Sequence, residues 1–226
     1  MSITDEQREF YQRLYSQHGD APQALSARDG ITHDERFERT ARLLERSPGR
    51  DIHEIGCGLG HFGRWLARHA PEARYSGSDI CPEFVDACSA QFPKGSFNCQ
   101  DICETPLETT HDWVVLIGVF NIRLQRTDKE WFEFVQSMMR AMYAACSSGI
   151  SVDFLTPYSD PEKRRDDLYY QPLEPLLDFV RSDLSRHFEI DHSAPLYEYT
   201  LRVHRPDAVR ERHPEPAFDR YFQGRS

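Results

Sequence analysis

The chain has 226 residues, 39% of them hydrophobic and 12% aromatic, which allows one domain with a sizeable core and excludes a disordered polymer. Its formal net charge of −10 argues against nucleic acid as the main partner, because phosphate binding needs a basic face. No apolar run approaches the roughly 20 residues of a membrane span, and the start MSITDEQREF lacks the basic and apolar regions of a signal peptide, so a cytoplasmic protein without membrane contact is expected.

Thr4 to Gln17 reads as an amphipathic helix, with Thr4 as its N-cap and Phe10, Leu14 and Tyr11 or Tyr15 along one side. A polar, turn-rich link follows, and His33 to Arg46 reads as a second helix carrying Phe37, Leu43 and Leu44. From Asp51 the pattern alternates. Asp51–Cys57 is a predicted strand, His61–His69 a helix, Ala73–Ile80 a strand, and Pro82–Ala90 a helix with proline in its first turn. GSFNCQD is a short third strand, and Asp112–Phe120 is apolar enough to be buried on both faces.

Thr127 and Glu130 form a capping box ahead of a helix bearing Trp131, Phe134, Val135, Met138, Met139 and Met142, with Gly149 as its stop. Ile150–Thr156 is a fifth strand, Pro172–His187 a helix, and FEIDHSA and EYTLRVH an antiparallel-looking pair. Cys57, Cys81, Cys88, Cys99, Cys103 and Cys146 contain no CxxC pair, so free and mostly buried thiols are expected rather than disulfides or zinc. Alternating elements of this kind imply an α/β fold, a doubly wound seven-stranded Rossmann-like sheet under an N-terminal helical lid. The expected division is 1–48 for the lid, 49–206 for the ligand-binding domain and 207–226 for a tail.

The stretch DIHEIGCGLGHFG, directly after the first predicted strand, fits two patterns. Gly58 to Gly63 match the GxGxxG dinucleotide fingerprint, while Glu54 to Gly60 match an acidic residue two positions ahead of GxGxG. Glycines there let backbone approach a ligand, and the next helix offers free N–H groups. Asp79 ends the second strand and is placed to accept ribose hydroxyls. Asp101 ends the third and can reach an adenine edge, although either residue alone is often a turn or cap residue. Glu54 separates the candidate ligands. A carboxylate there repels a pyrophosphate and favours a cation that bears an ammonium and a sulfonium, which indicates S-adenosylmethionine over NAD.

The segments HEIGCGLGHFGRWL, YSGSDI and WVVLIGVFN, in that order, resemble the motifs of the class I S-adenosylmethionine-dependent methyltransferase superfamily over about Asp51 to His204. The resemblance implies that Glu54, Gly56, Gly58 and Gly60 line the methionine moiety, Asp79 the ribose and Asp101 the adenine. Ile80, Ile102 and Gly118 complete the expected cofactor site. His53 stands where the family has an apolar residue.

On the acceptor side, the (D/N)PP(Y/F) signature of amide N-methyltransferases is missing. His111 precedes the fourth strand, at its wrong end for chemistry, and Asp153 and Asp160 make a weak metal pair, so no metal is expected. Aromatic residues gather instead, and Phe120, Asn121, Tyr158 and Tyr169 are the expected catalytic set, with Phe154 and Tyr170 nearby. GVFN, DDLYY and LYEYT also resemble a bacterial subgroup that includes azetidine-2-carboxylate synthases, which close S-adenosylmethionine on itself and release methylthioadenosine. That resemblance implies Asn121 orienting the amino acid moiety and Tyr158 against the sulfonium. Methyl transfer to a small molecule, a sugar or secondary metabolite, leads among the expected activities. Intramolecular cyclisation follows, then a non-catalytic sensor and an NAD oxidoreductase. The oligomeric state stays open.

Overall fold

The computed structural model describes residues 1–25, 30–46 and 49–222. One sheet contains β1 (Asp51–Ile55), β2 (Arg74–Asp79), β3 (Phe97–Cys99), β4 (His111–Leu116), β5 (Cys146–Leu155), β6 (Phe188–Asp191) and β7 (Glu198–His204), in the order β3-β2-β1-β4-β5-β7-β6. Strands β1 to β5 pair in parallel, and β7 runs antiparallel between β5 and β6. The chain builds outward from β1 to β3 and then returns to lay β4 against the other side of β1. Strand order reverses there, which is where α/β sheets bind ligands.

Among the described residues eight helices accompany the sheet: α1 (Ile3–His18), α2 (Gly30–Ala41), α3 (Leu43–Arg46), α4 (His61–His69), α5 (Pro82–Gln91), α6 (Asp128–Ala144), α7 (Leu173–Phe179) and α8 (Pro206–Arg212). Strand alternation sorts the core into layers. Val114 and Leu116 of β4 join Trp131, Val135, Met139 and Met142 of α6 on one face, while Trp113 and Val115 join Phe37, Phe62, Trp65 and Leu66 of α2 and α4 on the other. A third cluster, Ala24, Leu59, Cys81 and Phe84, lies against Tyr11 and Tyr15 of α1. No helix among the described residues is long and apolar enough to cross a membrane.

Several boundaries differ from the sequence expectation. The cap of α1 is Ser2, which forms a capping box with Asp5, because Thr4 turns inward to bond Asp101. The second predicted helix is broken at Arg42 into α2 and α3. Strand β4 stops at Leu116, and Val119–Asn121 form a 3-10 turn. Gly149 does not stop α6; it lies inside β5, where a Cβ would sit 2.5 Å from the Val203 carbonyl oxygen and 2.8 Å from the Trp113 ring. The helix predicted to His187 ends in a π-turn at Val180–Leu184. His53 is buried in a polar seam, bonded to the Ser76 and Ser78 hydroxyls and stacked on His111 at 4.6 Å. Burial lowers its pKa to about 3, so it stays neutral. Cys57, Cys81, Cys88 and Cys146 are buried, Cys99 and Cys103 are exposed, and all six are free thiols.

Candidate active site

Between β1 and α4 the backbone must turn within five residues, and Gly56, Gly58 and Gly60 take φ values of 71°, 52° and 69°. L-residues rarely adopt these values. Space is short as well: a Cβ would lie 2.4 Å from Val119 Cγ2 at Gly56 and 2.9 Å from Leu25 Cδ2 at Gly58. The loop is fixed by its own N–H groups. Gly56 and Cys57 donate to the Ser78 carbonyl, and Gly60 donates to that of Cys57.

Asp79 ties two loops together. Its Oδ2 accepts from Gly58 N–H and its Oδ1 from Cys81 N–H, both at 2.9 Å. Burial pushes its carboxyl up to about 6, against the opposing pull of those N–H groups. At the tip of β1, buried Glu54 accepts from the Tyr75 hydroxyl at 2.5 Å. Burial drives the Glu54 carboxyl well above the ordinary range, and Cys88 and Asp79 add to that direction. After β3, Asp101 accepts from Thr4 Oγ1 at 2.5 Å and from Cys103 N–H at 2.8 Å. The same helix α1 is held further along, where Gln7 Nε2 donates to the Ile122 carbonyl at 2.8 Å and Arg8 Nε donates to that of Ile80 at 2.9 Å.

These groups surround a cavity of about 460 Å³ at the carboxyl ends of the strands. Glu54, Gly56, Gly58, Asp79, Ile80, Asp101, Ile102, Gly118 and Asn121 all line it. Gly60 does not; the space beside its Cα is closed by Phe92 and Cys88.

Three of the expected catalytic residues lie away from the wall. Phe120 is buried, stacked on Phe154 at 5.5 Å, with its carbonyl accepting from the Trp131 indole N–H. Tyr169 is buried in the core beside α6, and its backbone N–H donates to the Asn121 carbonyl. Tyr158 is 72% exposed, because the Thr156–Ser159 turn points it outward. The aromatic ring set expected around a sulfonium is therefore not assembled from these three. Asp153 is buried and bonded to Thr200, Asp160 accepts from the Tyr197 hydroxyl, and neither lines the cavity. Among the described residues no group of three or more His, Cys, Asp or Glu side chains is placed to hold a metal ion.

The rest of the cavity wall, Tyr170 excepted, was not legible in the sequence. His33, Arg36 and Phe37 come from α2, His61 and Phe62 from α4, and Lys163, Arg165, Tyr170, Tyr197 and Glu198 from the segments around β5 and β7. His61 opens α4 immediately after the glycine loop, with its ring 5.6 Å from that of His33. Burial, Arg64 and His33 lower its pKa to about 4, so the imidazole is neutral near pH 7, a weak base that can accept a hydrogen bond. Its place directly after the last loop glycine was the one local signal available. Arg36 meets Glu198 in a bidentate pair, with Nε at 2.7 Å from Oε2.

The residues present suit S-adenosylmethionine. Three carboxylates face one half of the cavity, positive-φ glycines open the loop beside Glu54, and two buried amide oxygens, Gln7 Oε1 and Asn121 Oδ1, have no protein partner.

Comparison with known proteins identifies the family. A methyltransferase-domain family model matches residues 52–144. A Mycobacterium tuberculosis (strain H37Rv) protein named as a methyltransferase is 33% identical over 162 residues, spanning 72% of this chain and 97% of that one. Among solved structures, the N-methyltransferase NodS of Bradyrhizobium japonicum WM9, in complex with S-adenosyl-L-homocysteine, superposes with a TM-score of 0.63 at 18% identity, covering 88% of this chain and 98% of NodS. The magnesium protoporphyrin IX methyltransferase of Synechocystis PCC 6803 gives 0.57 at 15% identity, covering 90% and 98%. The chain belongs to the class I S-adenosylmethionine-dependent methyltransferase superfamily.

Proposed function

We propose that the protein transfers the methyl group of S-adenosylmethionine to a small molecule held in the 460 Å³ cavity. The observation that carries the reading is the convergence of Glu54, Asp79 and Asp101, at or just beyond three successive strand ends, on one cavity with a neutral imidazole, His61, on its wall. The cavity volume lies within the roughly 300–1,000 Å³ of small-molecule sites, which supports an acceptor such as a sugar or secondary metabolite.

When bound, the cofactor supplies an electrophilic methyl carbon on a sulfonium. Glu54 offsets the positive charge of its amino acid end, with Gly56 and Gly58 leaving room for it. Asp79 accepts from the ribose hydroxyls, and Asp101 lies at the adenine edge with Ile80 and Ile102 around it. Asn121 and Gly118 border the reacting centre, where Asn121 Oδ1 gains a partner that the protein does not provide. As the acceptor's lone pair bonds to the methyl carbon and the carbon–sulfur bond breaks, His61 would accept a hydrogen bond from the acceptor, whose proton would pass to solvent. Holding the acceptor in line with that bond provides most of the rate.

Incubation with S-adenosylmethionine, with and without a library of hydroxylated and amino acceptors, tests the reading. S-adenosylhomocysteine formed only when an acceptor is present is the expected result. Methylthioadenosine formed from S-adenosylmethionine alone would instead establish intramolecular cyclisation. Replacing His61 with Ala should lower turnover by about 2–10-fold, the loss of one hydrogen bond, while leaving cofactor affinity intact.

A further inference from the structure

The charged groups on the cavity wall are sorted by end. Glu54, Asp79 and Asp101 stand at or after β1, β2 and β3, on one side of the switch point. On the other side the described wall carries Arg36, Lys163 and Arg165, and its carboxylate there, Glu198, is engaged by Arg36 and lies 3.6 Å from Arg39. The acidic neighbours of the 160–167 loop do not reach the wall. Asp160 is bonded to Tyr197, Asp167 is paired with Arg165, and Glu162 and Asp166 do not line the cavity.

Lys163 Nζ makes no ion pair or hydrogen bond among the described residues. Arg165 spends Nε and Nη2 on Asp167, which leaves Nη1 outside that pair. A chain with net charge −10 thus presents cations at one end of an otherwise acidic cavity. Opposite charge placed at opposite ends of a site fixes the direction in which a ligand enters and suppresses the reverse one.

We propose that the acceptor carries a carboxylate, which Lys163 and Arg165 bind at the mouth while the reacting atom faces His61 and the glycine loop. This inference rests on the methyl-transfer reading, since it assigns the carboxylate end of the cavity to the cofactor. A carboxylate matches both, with the Lys163 ammonium acting as a point charge and Arg165 donating through Nη1. Arg36 and Glu198 form a neutral pair on the same wall, so the net positive charge there comes from the 160–167 loop.

The test uses benzoate, benzamide and benzylamine, matched in size and differing in charge, titrated into the full-length protein with and without S-adenosylhomocysteine. Affinity is read by calorimetry and location by the imidazole resonances of His61 and His33. Benzoate is expected to bind about tenfold or more tightly than benzamide, a difference of about 1.4 kcal/mol, and to shift those resonances. Lys163→Glu combined with Arg165→Gln should erase the preference while S-adenosylhomocysteine affinity, the control for folding, is unchanged. Equal binding of the three probes, a preference for benzylamine, no benzoate binding, or a preference that survives in the double variant would each overturn the proposal. Failure of the cofactor reading is a separate result: no heat with S-adenosylhomocysteine, whatever benzoate does.

Discussion

Glu54 and Asp79 are buried carboxylates, and in the proposed site each should link cofactor binding to pH in a way that can be measured. Burial holds the Glu54 carboxyl well above its usual range in the free protein, whereas a sulfonium and ammonium beside it favour the carboxylate. Binding therefore expels a proton, and affinity rises with pH. Calorimetry in buffers of different ionisation enthalpy should show this release, and Glu54→Gln should reduce it to what Asp79 contributes. A buffer-independent heat in the unaltered protein contradicts the assignment. Asp79, raised to about 6 from 3.8, carries two opposite pH effects. In the free fold, the stability tied to its proton is fully present below about pH 3.8 and is lost as pH rises through 6. Ribose binding instead needs the ionised carboxylate, so S-adenosylmethionine affinity should fall as pH drops below about 6. Asp79→Ala should weaken binding severely, and unchanged affinity would remove Asp79 from the ribose site. Asp79 and Asp101 were identifiable from sequence because each ends a predicted strand, and Glu54 because it stands two residues ahead of the glycines. Phe120, Tyr158 and Tyr169 were not separable in that way, since whether a ring faces a cavity, the core or solvent depends on packing that local sequence does not encode.

At the scale of elements, α6 sets the position of the turn that carries Asn121. Its capping box, Thr127 with Glu130, starts the helix, and Trp131, fully buried, donates its indole N–H to the Phe120 carbonyl at 3.0 Å. Trp131→Ala removes a large core side chain and leaves that carbonyl without its partner. We expect a loss of about 3–5 kcal/mol in chemical denaturation, together with weaker S-adenosylmethionine binding because the Val119–Asn121 turn loses its anchor. A loss below about 1 kcal/mol would show that the turn is held by other contacts. Helix α6 was legible because its apolar period and its cap agree. The bounds of α1 and β5 were misjudged for one reason. Thr4 is bonded to Asp101, 97 residues away, and Gly149 is shaped by the approach of Val203 and Trp113. Both residues were read as local signals although their roles are tertiary.

At the scale of the whole molecule, buried ion pairs fasten α2 to the distant half of the sheet. Arg39 is fully buried, with Nη1 donating to the Glu198 carbonyl at 3.1 Å and Nη2 standing 3.6 Å from both Asp153 and Glu198. Burial raises the Asp153 pKa, while Arg39 opposes that shift. Arg39→Ala should cost about 3–5 kcal/mol, because it leaves carboxylates buried without their partner. The unpaired Asp153 carboxyl then has a higher folded-state pKa, so the deficit should be smaller at pH 5 than at pH 7. Denaturation at the two values checks this, and an equal deficit would show that charge is not the cause. Because α2 also carries His33 and Arg36, the same variant should loosen the acceptor end of the cavity more than the cofactor end.

The sequence by itself determined the sheet, the glycine loop and the carboxylates that succeed one another at the strand ends. Those features rest on short-range periodicity and on backbone conformations that few residues tolerate, so they are written locally. Only the tertiary structure decided the part of the cavity wall proposed to meet the acceptor. Arg36 and Glu198 are 162 residues apart, His61 gains its neutral imidazole from burial against α2, and Lys163 and Arg165 matter because their acidic neighbours turn away from the wall. Charge at a site is a sum over chain segments that meet only after folding, and a linear reading has no access to that sum.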